Sequence, residues 1–146
     1  NLRKRSDVPI GSYLSGGLDS TILTYILQPD HTWTVGFNEL NEFEWSDLAN
    51  SKINTIHHKT IVEKNTFIDT AKWMIEKRSE PLSVPNEILI YLMTKNVKMK
   101  NTVILSGEGA DELFWGYDRI FKWANNANYL DINEFDEKYC YGYEYP

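Results

Sequence analysis

The chain has 146 residues, of which 42% are hydrophobic and 25% are charged, and its formal net charge is −6 at pH 7. This length suits one domain that buries a core, and the acidic balance argues against a nucleic-acid-binding surface. The longest apolar run, Ile88 to Met93, is too short to cross a bilayer. A single cysteine, Cys140, excludes an intrachain disulfide and fits a cytoplasmic protein. Because the sequence opens without Met or an apolar leader, we expect residues 1–146 to be a single partial domain from a longer protein.

The first predicted elements are a strand and a helix separated by a glycine loop. Residues 8–14 are typical of a buried parallel strand, and residues 21–27 form a helical pattern that ends before Pro29. The apolar residues of this helix are expected on one face: Ile22, Leu23, Ile26 and Leu27. The string between the two elements is Ser15-Gly16-Gly17-Leu18-Asp19-Ser20. We refer to residues 15–20 as the glycine loop.

The glycine loop has the composition of an anion site. Gly16 and Gly17 lack Cβ atoms, so the backbone can adopt positive φ and approach a phosphate closely, while the first amides of the following helix favour negative charge. The alternative is an ordinary turn in which Ser15, Asp19 or Ser20 caps the helix. Neither a GxxxxGK[ST] loop nor a G-x-G-x-x-G fingerprint occurs in the chain.

Alternating strands and helices follow. Strands are predicted at 32–37 and 56–62, and helices at 44–54 and from 65 to about 78. The residues expected to face the core are Leu48, Ala49 and Ile53 on the first of these helices, and Phe67, Ile68, Ala71, Met74 and Ile75 on the second. His57 and His58 are adjacent on a strand and point to opposite faces, so they cannot serve one metal site together.

A loop with two prolines precedes the next helix. Residues 79–86 form an extended connection that ends at Asn86, a candidate N-cap. Glu80, Ser83 and Asn86 are polar enough to contact a substrate, but a plain connector is the more common role for such a loop.

A second glycine loop follows a predicted strand at 102–106. Its sequence is Ser106-Gly107-Glu108-Gly109-Ala110-Asp111-Glu112, and an apolar helix start comes next. Alternation of this kind predicts an α/β fold, an open parallel sheet with helices on both faces. Ligands bind at the carboxyl ends of such strands, so two loops can face one ligand. Asp19 and Asp111 would then supply oxygen ligands to Mg²⁺, although carboxylates in a first helical turn also stabilise the helix dipole without a ligand.

The two loops carry a specific resemblance. Residues 8–20 resemble the PP-loop of ATP pyrophosphatases, which have an adenine nucleotide alpha hydrolase-like fold. Together with Leu105 to Phe114 and with Gly116-Tyr117, they resemble the synthetase domain of glutamine-dependent asparagine synthetase and of its relative β-lactam synthetase. Residues 32–37 and 56–59 resemble the second and third strands of that family, so the resemblance spans the chain from about Arg3 to Arg119.

The resemblance implies ATP and Mg²⁺ as cofactors and assigns roles to individual residues. Glu108 would act catalytically on the amino acid intermediate or the incoming nitrogen, and Asp19 and Asp111 would bind Mg²⁺. The residues implied to hold ATP are those of the pyrophosphate site, Ser15, Gly16, Gly17, Asp19 and Ser20, together with Leu14, Val35, Ser106 and Gly107.

The implied reaction is a ligase reaction of asparagine biosynthesis. Aspartate would be activated as β-aspartyl-AMP with release of pyrophosphate, and ammonia from a glutaminase domain would then form asparagine. A homodimer of the full-length protein is compatible with this resemblance. The alternatives are a β-lactam synthetase-like or other amide-forming adenylating ligase and, from another class, an ATP-binding module or remnant without turnover.

Three departures from the family pattern are visible. Trp115 stands where the family usually has a small residue, which leaves the amino acid pocket open to question. The glutaminase domain and its cysteine nucleophile have no match, because Cys140 lies near the other end of the chain. The later lysine that the family places on the intermediate is also missing, since Lys122 lies too close to the second loop. The isolated chain is therefore expected to be incomplete as a catalyst.

Overall fold

The computed structural model describes residues 6–114, 116–126, 131 and 133. The chain divides into two compact units, Asn1–Gly107 and Glu108–Pro146, and each is described by itself. The elements of the first unit are β1 (Ile10–Tyr13), α1 (Leu18–Leu27), β2 (His31–Phe37), α2 (Phe43–Ile53), β3 (Ile56–Val62), α3 (Lys64–Arg78), α4 (Asn86–Val97) and β4 (Val103–Leu105). Those of the second unit are α5 (Ala110–Phe114) and α6 (Asp118–Asn126).

The four strands form one parallel sheet in the order β3-β2-β1-β4. Ser12 in β1 lies opposite Thr32 of β2 on one side and Leu105 of β4 on the other. Successive strands run outward from β1 to β3, and the chain then returns to place β4 on the opposite side of β1. The sheet therefore has its switch point between β1 and β4, where open α/β sheets bind ligands. The predicted open parallel sheet is confirmed.

Helices cover both faces of this sheet, as predicted. On one face, Ser12 Oγ lies 2.8 Å from Thr24 Oγ1 of α1. On the other face, Tyr13 Oη lies 3.1 Å from Thr94 Oγ1 of α4. Adjacent residues of one strand thus reach helices on opposite sides, because side chains alternate along a strand.

The hydrophobic core lies between β2 and α4. Trp33, Met93 and Val97 are each 3% exposed and pack together. Partly buried side chains from the neighbouring strands complete the cluster: Tyr13, Val35 and Ile104. The indole Nε1 of Trp33 donates to Asn101 Oδ1 at 3.0 Å, so the one polar group of the ring is satisfied inside the core.

Several predictions about helix faces are wrong. On α1 the buried residues are Ser20, Thr24 and Leu27, whereas Ile22 is 49% exposed and Ile26 is 67% exposed. Small polar side chains occupy the sheet side because Thr24 bonds to Ser12, and this turns the isoleucines outward.

The same holds for α2 and α3. Ala49 and Ile53 are buried as predicted, but Leu48 is 54% exposed. No residue of α3 is buried, and Ile68 and Ile75 of its expected core stripe are exposed. The apolar period of a helix identifies a face, and the tertiary neighbours decide how far that face is covered.

Two further predictions concern particular residues. Asn86 is the first residue of α4 and not its N-cap, because Pro85 takes that position. His57 and His58 lie on opposite faces as predicted, since His57 contacts Ser46 of α2 and His58 stacks on Trp33 at 4.0 Å between ring centroids. Trp115, Cys140 and the tyrosines after it lie outside the described residues. Among the helices of the described residues, none is both long and apolar enough to span a bilayer.

Replacing Met93 by Ala should lower the free energy of unfolding by about 2–5 kcal/mol, because it leaves a cavity in the Trp33 cluster. Met99→Ala is the matched control, since Met99 is 72% exposed and its change should stay within about 0.5 kcal/mol. Urea denaturation followed by tryptophan fluorescence measures both values. Equal losses in the two variants would show that Met93 is not part of the core.

Candidate functional site

The candidate site lies where β1 and β4 end side by side. Ser12 Oγ contacts both Thr24 Oγ1 and, at 3.3 Å, the carbonyl oxygen of Leu105. Leu14 follows β1 and is fully buried, and its amide donates to the carbonyl of Trp33 at 2.9 Å. These bonds fix the point at which the glycine loop leaves the sheet, directly beside the loop that follows β4.

A ring of three hydrogen bonds shapes the glycine loop. The amide of Gly17 donates to Ser15 Oγ at 3.2 Å, and Ser20 Oγ donates to the carbonyl of Gly17 at 3.1 Å. The two hydroxyl oxygens, of Ser15 and Ser20, are 2.9 Å apart. Because the Ser20 proton is already donated to Gly17, the proton between the hydroxyls belongs to Ser15. These three bonds hold the loop in one conformation.

The position of Gly16 accepts only glycine. Its φ is +91°, in the left-handed region, and a Cβ there would overlap the carbonyl carbon of Trp45 and lie 2.6 Å from the amide nitrogen of Ser46. The backbone of the loop thus packs directly on the first turn of α2. By contrast, a Cβ on Gly17 would meet only Ser15 Oγ at 3.4 Å, so that side of the loop is open.

The start of α1 has no side-chain cap in the part of the chain that the structure describes. Gly17 occupies the N-cap position, and the first amide to bond inside the helix is that of Thr21, which donates to Gly17 at 3.0 Å. The alternative in which Ser15, Asp19 or Ser20 caps the helix is wrong, because Ser15 and Ser20 are held in the ring. The amides of the first turn remain directed outward, as in a helix that binds an anion.

The loop after β4 approaches the glycine loop closely. A Cβ on Gly107 would lie 3.0 Å from the amide nitrogen of Ser20 and 3.4 Å from Asp19 Cβ. The absence of a side chain at Gly107 therefore lets the two loops meet at the start of α1. Ser106 is exposed at this edge, and Asp19 is half-buried. Val35 is half-buried and packs against the Trp33 cluster.

The second unit holds the other predicted site residues. Glu108 is exposed, and Asp111 lies half-buried in the first turn of α5. The amide of Gly116 donates to the carbonyl of Asp111 at 2.9 Å, and a Cβ on Gly116 would overlap the Asp111 carboxylate. Tyr117 Oη donates to Glu112, which lowers the pKa of that carboxyl. A side chain at Gly116 would therefore displace the Asp111 carboxylate from its position.

The backbone amides at the start of α1 and the carboxylate of Asp19 fit a phosphate bound with Mg²⁺. The uncapped helix start and the open side at Gly17 form a cradle lined by backbone amides, and Asp19 adds one hard oxygen ligand of the kind that Mg²⁺ prefers beside phosphate oxygens. Within the described residues, no group of three or more His, Cys, Asp or Glu side chains could hold a metal. Asp19 belongs to the first unit and Asp111 to the second, so their joint role stays a prediction.

Sequence reasoning missed the residues that support the loop from behind. Trp45 and Ser46 start α2 and form the surface on which Gly16 rests. A Gly-Gly pair indicates a need for positive φ or close approach, but nothing in the sequence shows which distant residues the backbone approaches.

Gly16→Ala should lower the free energy of unfolding by about 2–4 kcal/mol, because the new methyl group combines a left-handed backbone with overlap on Trp45. Gly109→Ala is the matched control: its φ is +86° but a Cβ there would meet nothing within 4 Å. That variant should lose only about 1 kcal/mol. Chemical denaturation compares the two. Similar losses would mean that backbone conformation alone, and not packing on α2, requires Gly16.

Comparisons with known proteins relate this chain to one family. The family model described as asparagine synthase matches residues 1–139. Asparagine synthetase [glutamine-hydrolyzing] 1 of Bacillus subtilis strain 168 is 33% identical over 81% of this chain and 20% of its own length. Asparagine synthetase B [glutamine-hydrolyzing] of Escherichia coli K12 is 32% identical over 86% of this chain and 26% of its own length.

A putative asparagine synthetase [glutamine-hydrolyzing] 2 of Methanocaldococcus jannaschii is 32% identical over 80% of this chain and 24% of its own length. A solved structure from the same species, a predicted subunit of tRNA methyltransferase, aligns with a TM-score of 0.44 and 17% identity over 88% of this chain and 62% of that one. The chain thus spans a fifth to about a quarter of the curated relatives named here. Since the family model covers nearly all of it, the chain belongs to the asparagine synthase family.

Proposed function

We propose that this chain is the ATP-binding part of a ligase that activates aspartate as β-aspartyl-AMP, releases pyrophosphate and then forms asparagine with ammonia. The observation that supports this most directly is the preformed cradle at the uncapped start of α1, at the switch point of the sheet. Family membership supports the choice of substrate class, because the named relatives are asparagine synthetases.

The glycine loop is proposed to hold the pyrophosphate of ATP. Backbone amides at Gly17 and in the first turn of α1 donate to the phosphate oxygens, and the helix dipole stabilises the charge that develops on the leaving pyrophosphate. Ser15 and Ser20 exchange the bonds of their ring for bonds to the same oxygens. The ring keeps these groups close together, so the ligand replaces bonds within one small region.

The adenosine is proposed to lie against the carboxyl ends of β1, β2 and β4. Leu14 is fully buried at the end of β1, and its part in the adenosine site rests on the resemblance, whereas Gly107 presents backbone without a side chain. Val35 and Ser106 complete the proposed contacts. A hydrophobic edge with exposed backbone amides and carbonyls suits the flat, hydrogen-bonding adenine ring.

Mg²⁺ supplies Lewis-acid stabilisation of the phosphate charge when it is bound. Asp19 is proposed as one ligand, and the resemblance adds Asp111. Glu108 is proposed to act on the aspartyl intermediate or the incoming nitrogen, as an exposed carboxylate in the second glycine loop. Ammonia from glutamine hydrolysis belongs to the proposed whole protein, as does a homodimer, because the chain spans only 20–26% of these relatives.

Asp19→Asn should abolish Mg²⁺-dependent binding of ATP to the 146-residue chain, because it removes the carboxylate beside the cradle. Asp30→Asn is a control with the same charge change, since Asp30 is exposed and precedes β2 at the opposite edge of the sheet. Calorimetric titration with ATP, with and without Mg²⁺, measures both. Wild-type affinity in Asp19→Asn would remove Asp19 from the metal site, and a folded wild-type chain that binds no ATP would contradict the proposed nucleotide site.

A stable analogue of β-aspartyl-AMP tests the amino acid part without requiring turnover. An N-acylsulfamoyl adenosine, in which the side-chain carbonyl of aspartate is joined to the sulfamate nitrogen, should bind on the order of a hundredfold tighter than AMP, because it joins both halves of the proposed intermediate. The matching glutamate analogue, longer by one methylene, should lose roughly tenfold or more of that gain. Equal affinities of the aspartyl analogue and AMP would contradict aspartate as the substrate.

A further inference from the structure

A partly buried network of hydrogen bonds runs across the face of the sheet that α2 covers. It starts at Asn50, whose Oδ1 accepts the amide of Thr55 at 3.1 Å and the hydroxyl proton of Thr55 at 2.5 Å. Thr55 Oγ1 lies 2.6 Å from Thr32 Oγ1, which lies 2.8 Å from His57 Nδ1. At the other end, His57 Nε2 lies 3.2 Å from Ser46 Oγ. Thr32 and Ser46 are fully buried, whereas Asn50, Thr55 and His57 are half-buried.

The number of protons available to this hydrogen-bond network depends on the protonation state of His57. Ser46 Oγ donates its proton to the carbonyl of Phe43 at 3.0 Å, and Thr55 donates its own to Asn50. Three links remain, Thr55 to Thr32, Thr32 to His57 and His57 to Ser46, and Thr32 can fill one of them. Neutral imidazole supplies one more proton and leaves a link empty, whereas imidazolium supplies two and fills all three.

Burial and the charged groups around His57 change the pKa of its imidazole, and so decide at which pH the ring gains this proton. Burial lowers the pKa of His57 from 6.5, and Asp47 on α2 opposes that effect. Lys59 on the same strand lowers the pKa further but is paired with Asp47. His58 also lowers it, from the opposite face, where it contacts His31 at 3.0 Å. The ring is therefore mostly neutral at pH 7 and gains its proton on acidification.

Ser46 connects this hydrogen-bond network to the glycine loop. The carbonyl that it bonds belongs to Phe43, the first residue of α2, so the hydroxyl ties together the first turn of the helix. Gly16 packs on the same turn, with its missing Cβ 2.6 Å from the Ser46 nitrogen. Any shift of Ser46 toward or away from His57 changes the surface on which the loop rests.

We propose that His57 is a positioning residue for the glycine loop. When the imidazole gains a proton, it completes the hydrogen-bond network as far as Ser46 and fixes the first turn of α2 against Gly16. The consequence for nucleotide binding rests on the proposed function. ATP should bind on the order of fivefold tighter below the midpoint of the His57 titration than above it.

The test follows backbone amide resonances of the nucleotide-free 146-residue chain from about pH 4.5 to 7.5, a window that extends lower than for an ordinary histidine because burial lowers the pKa of His57. In the wild type, the Gly16 amide should shift with the same midpoint as the His57 ring. His57→Gln should abolish that shift, and His58→Gln, the control on the other face, should preserve it.

Ser46→Ala separates packing from simple electrostatics. This variant keeps the His57 charge but removes the hydroxyl link, so His57 should still titrate while Gly16 no longer follows it. The same variant decides the question if His57→Gln fails to fold. A Gly16 shift that survives in Ser46→Ala, or one that never follows His57, would overturn the proposal. Absence of ATP binding at every pH would contradict the proposed function alone, because the nucleotide-free titration still tests His57.

Discussion

The buried hydroxyl of Ser12 holds together the elements that end at the candidate site. It lies in the central strand and is fully buried, and it contacts Thr24 of α1 and the carbonyl of Leu105 in β4. One small side chain therefore links the strand before the glycine loop, the helix after it and the strand before the second loop, in addition to the backbone pairing of β1 with β4. An apolar residue here would leave a buried hydroxyl at Thr24 without this partner, a situation that costs about 1–3 kcal/mol.

The order of the elements could be predicted from the sequence, but the burial of the helices could not. The bond between Ser12 and Thr24 is one reason for the second outcome. The strand positions, their parallel arrangement and the two strand-loop-helix segments follow from apolar runs and glycine strings that can be read locally. The outward turn of Ile22 and Ile26 cannot, because it depends on a hydroxyl pair between α1 and the central strand. Hydrophobic periodicity assumes that the core side of a helix is apolar, and here it is occupied by Ser20 and Thr24.

The sequence likewise predicted some residues of the candidate site and missed others. Residues that act through backbone conformation, such as Gly16 and Gly107, stand out in the sequence because glycine strings have few other uses. Residues that act by supporting that backbone, such as Ser46 and His57, do not stand out, since a serine on a helix and a histidine on a strand are ordinary. Their role arises only when β2, β3 and α2 bring Thr32, His57 and Ser46 into one line.

The ring of hydrogen bonds in the glycine loop also bears on the thermodynamics of any ligand. A carbonyl can only accept, so the Ser20 hydroxyl donates to Gly17, and the proton between the two hydroxyls comes from Ser15. A phosphate that takes the Gly17 amide and the two hydroxyl protons replaces bonds that already exist. The enthalpy gained is then the difference between charged and neutral acceptors, and not the full strength of each new contact. Selectivity in such a loop comes from the charge of the ligand, so a neutral molecule of the same shape gains little by entering it.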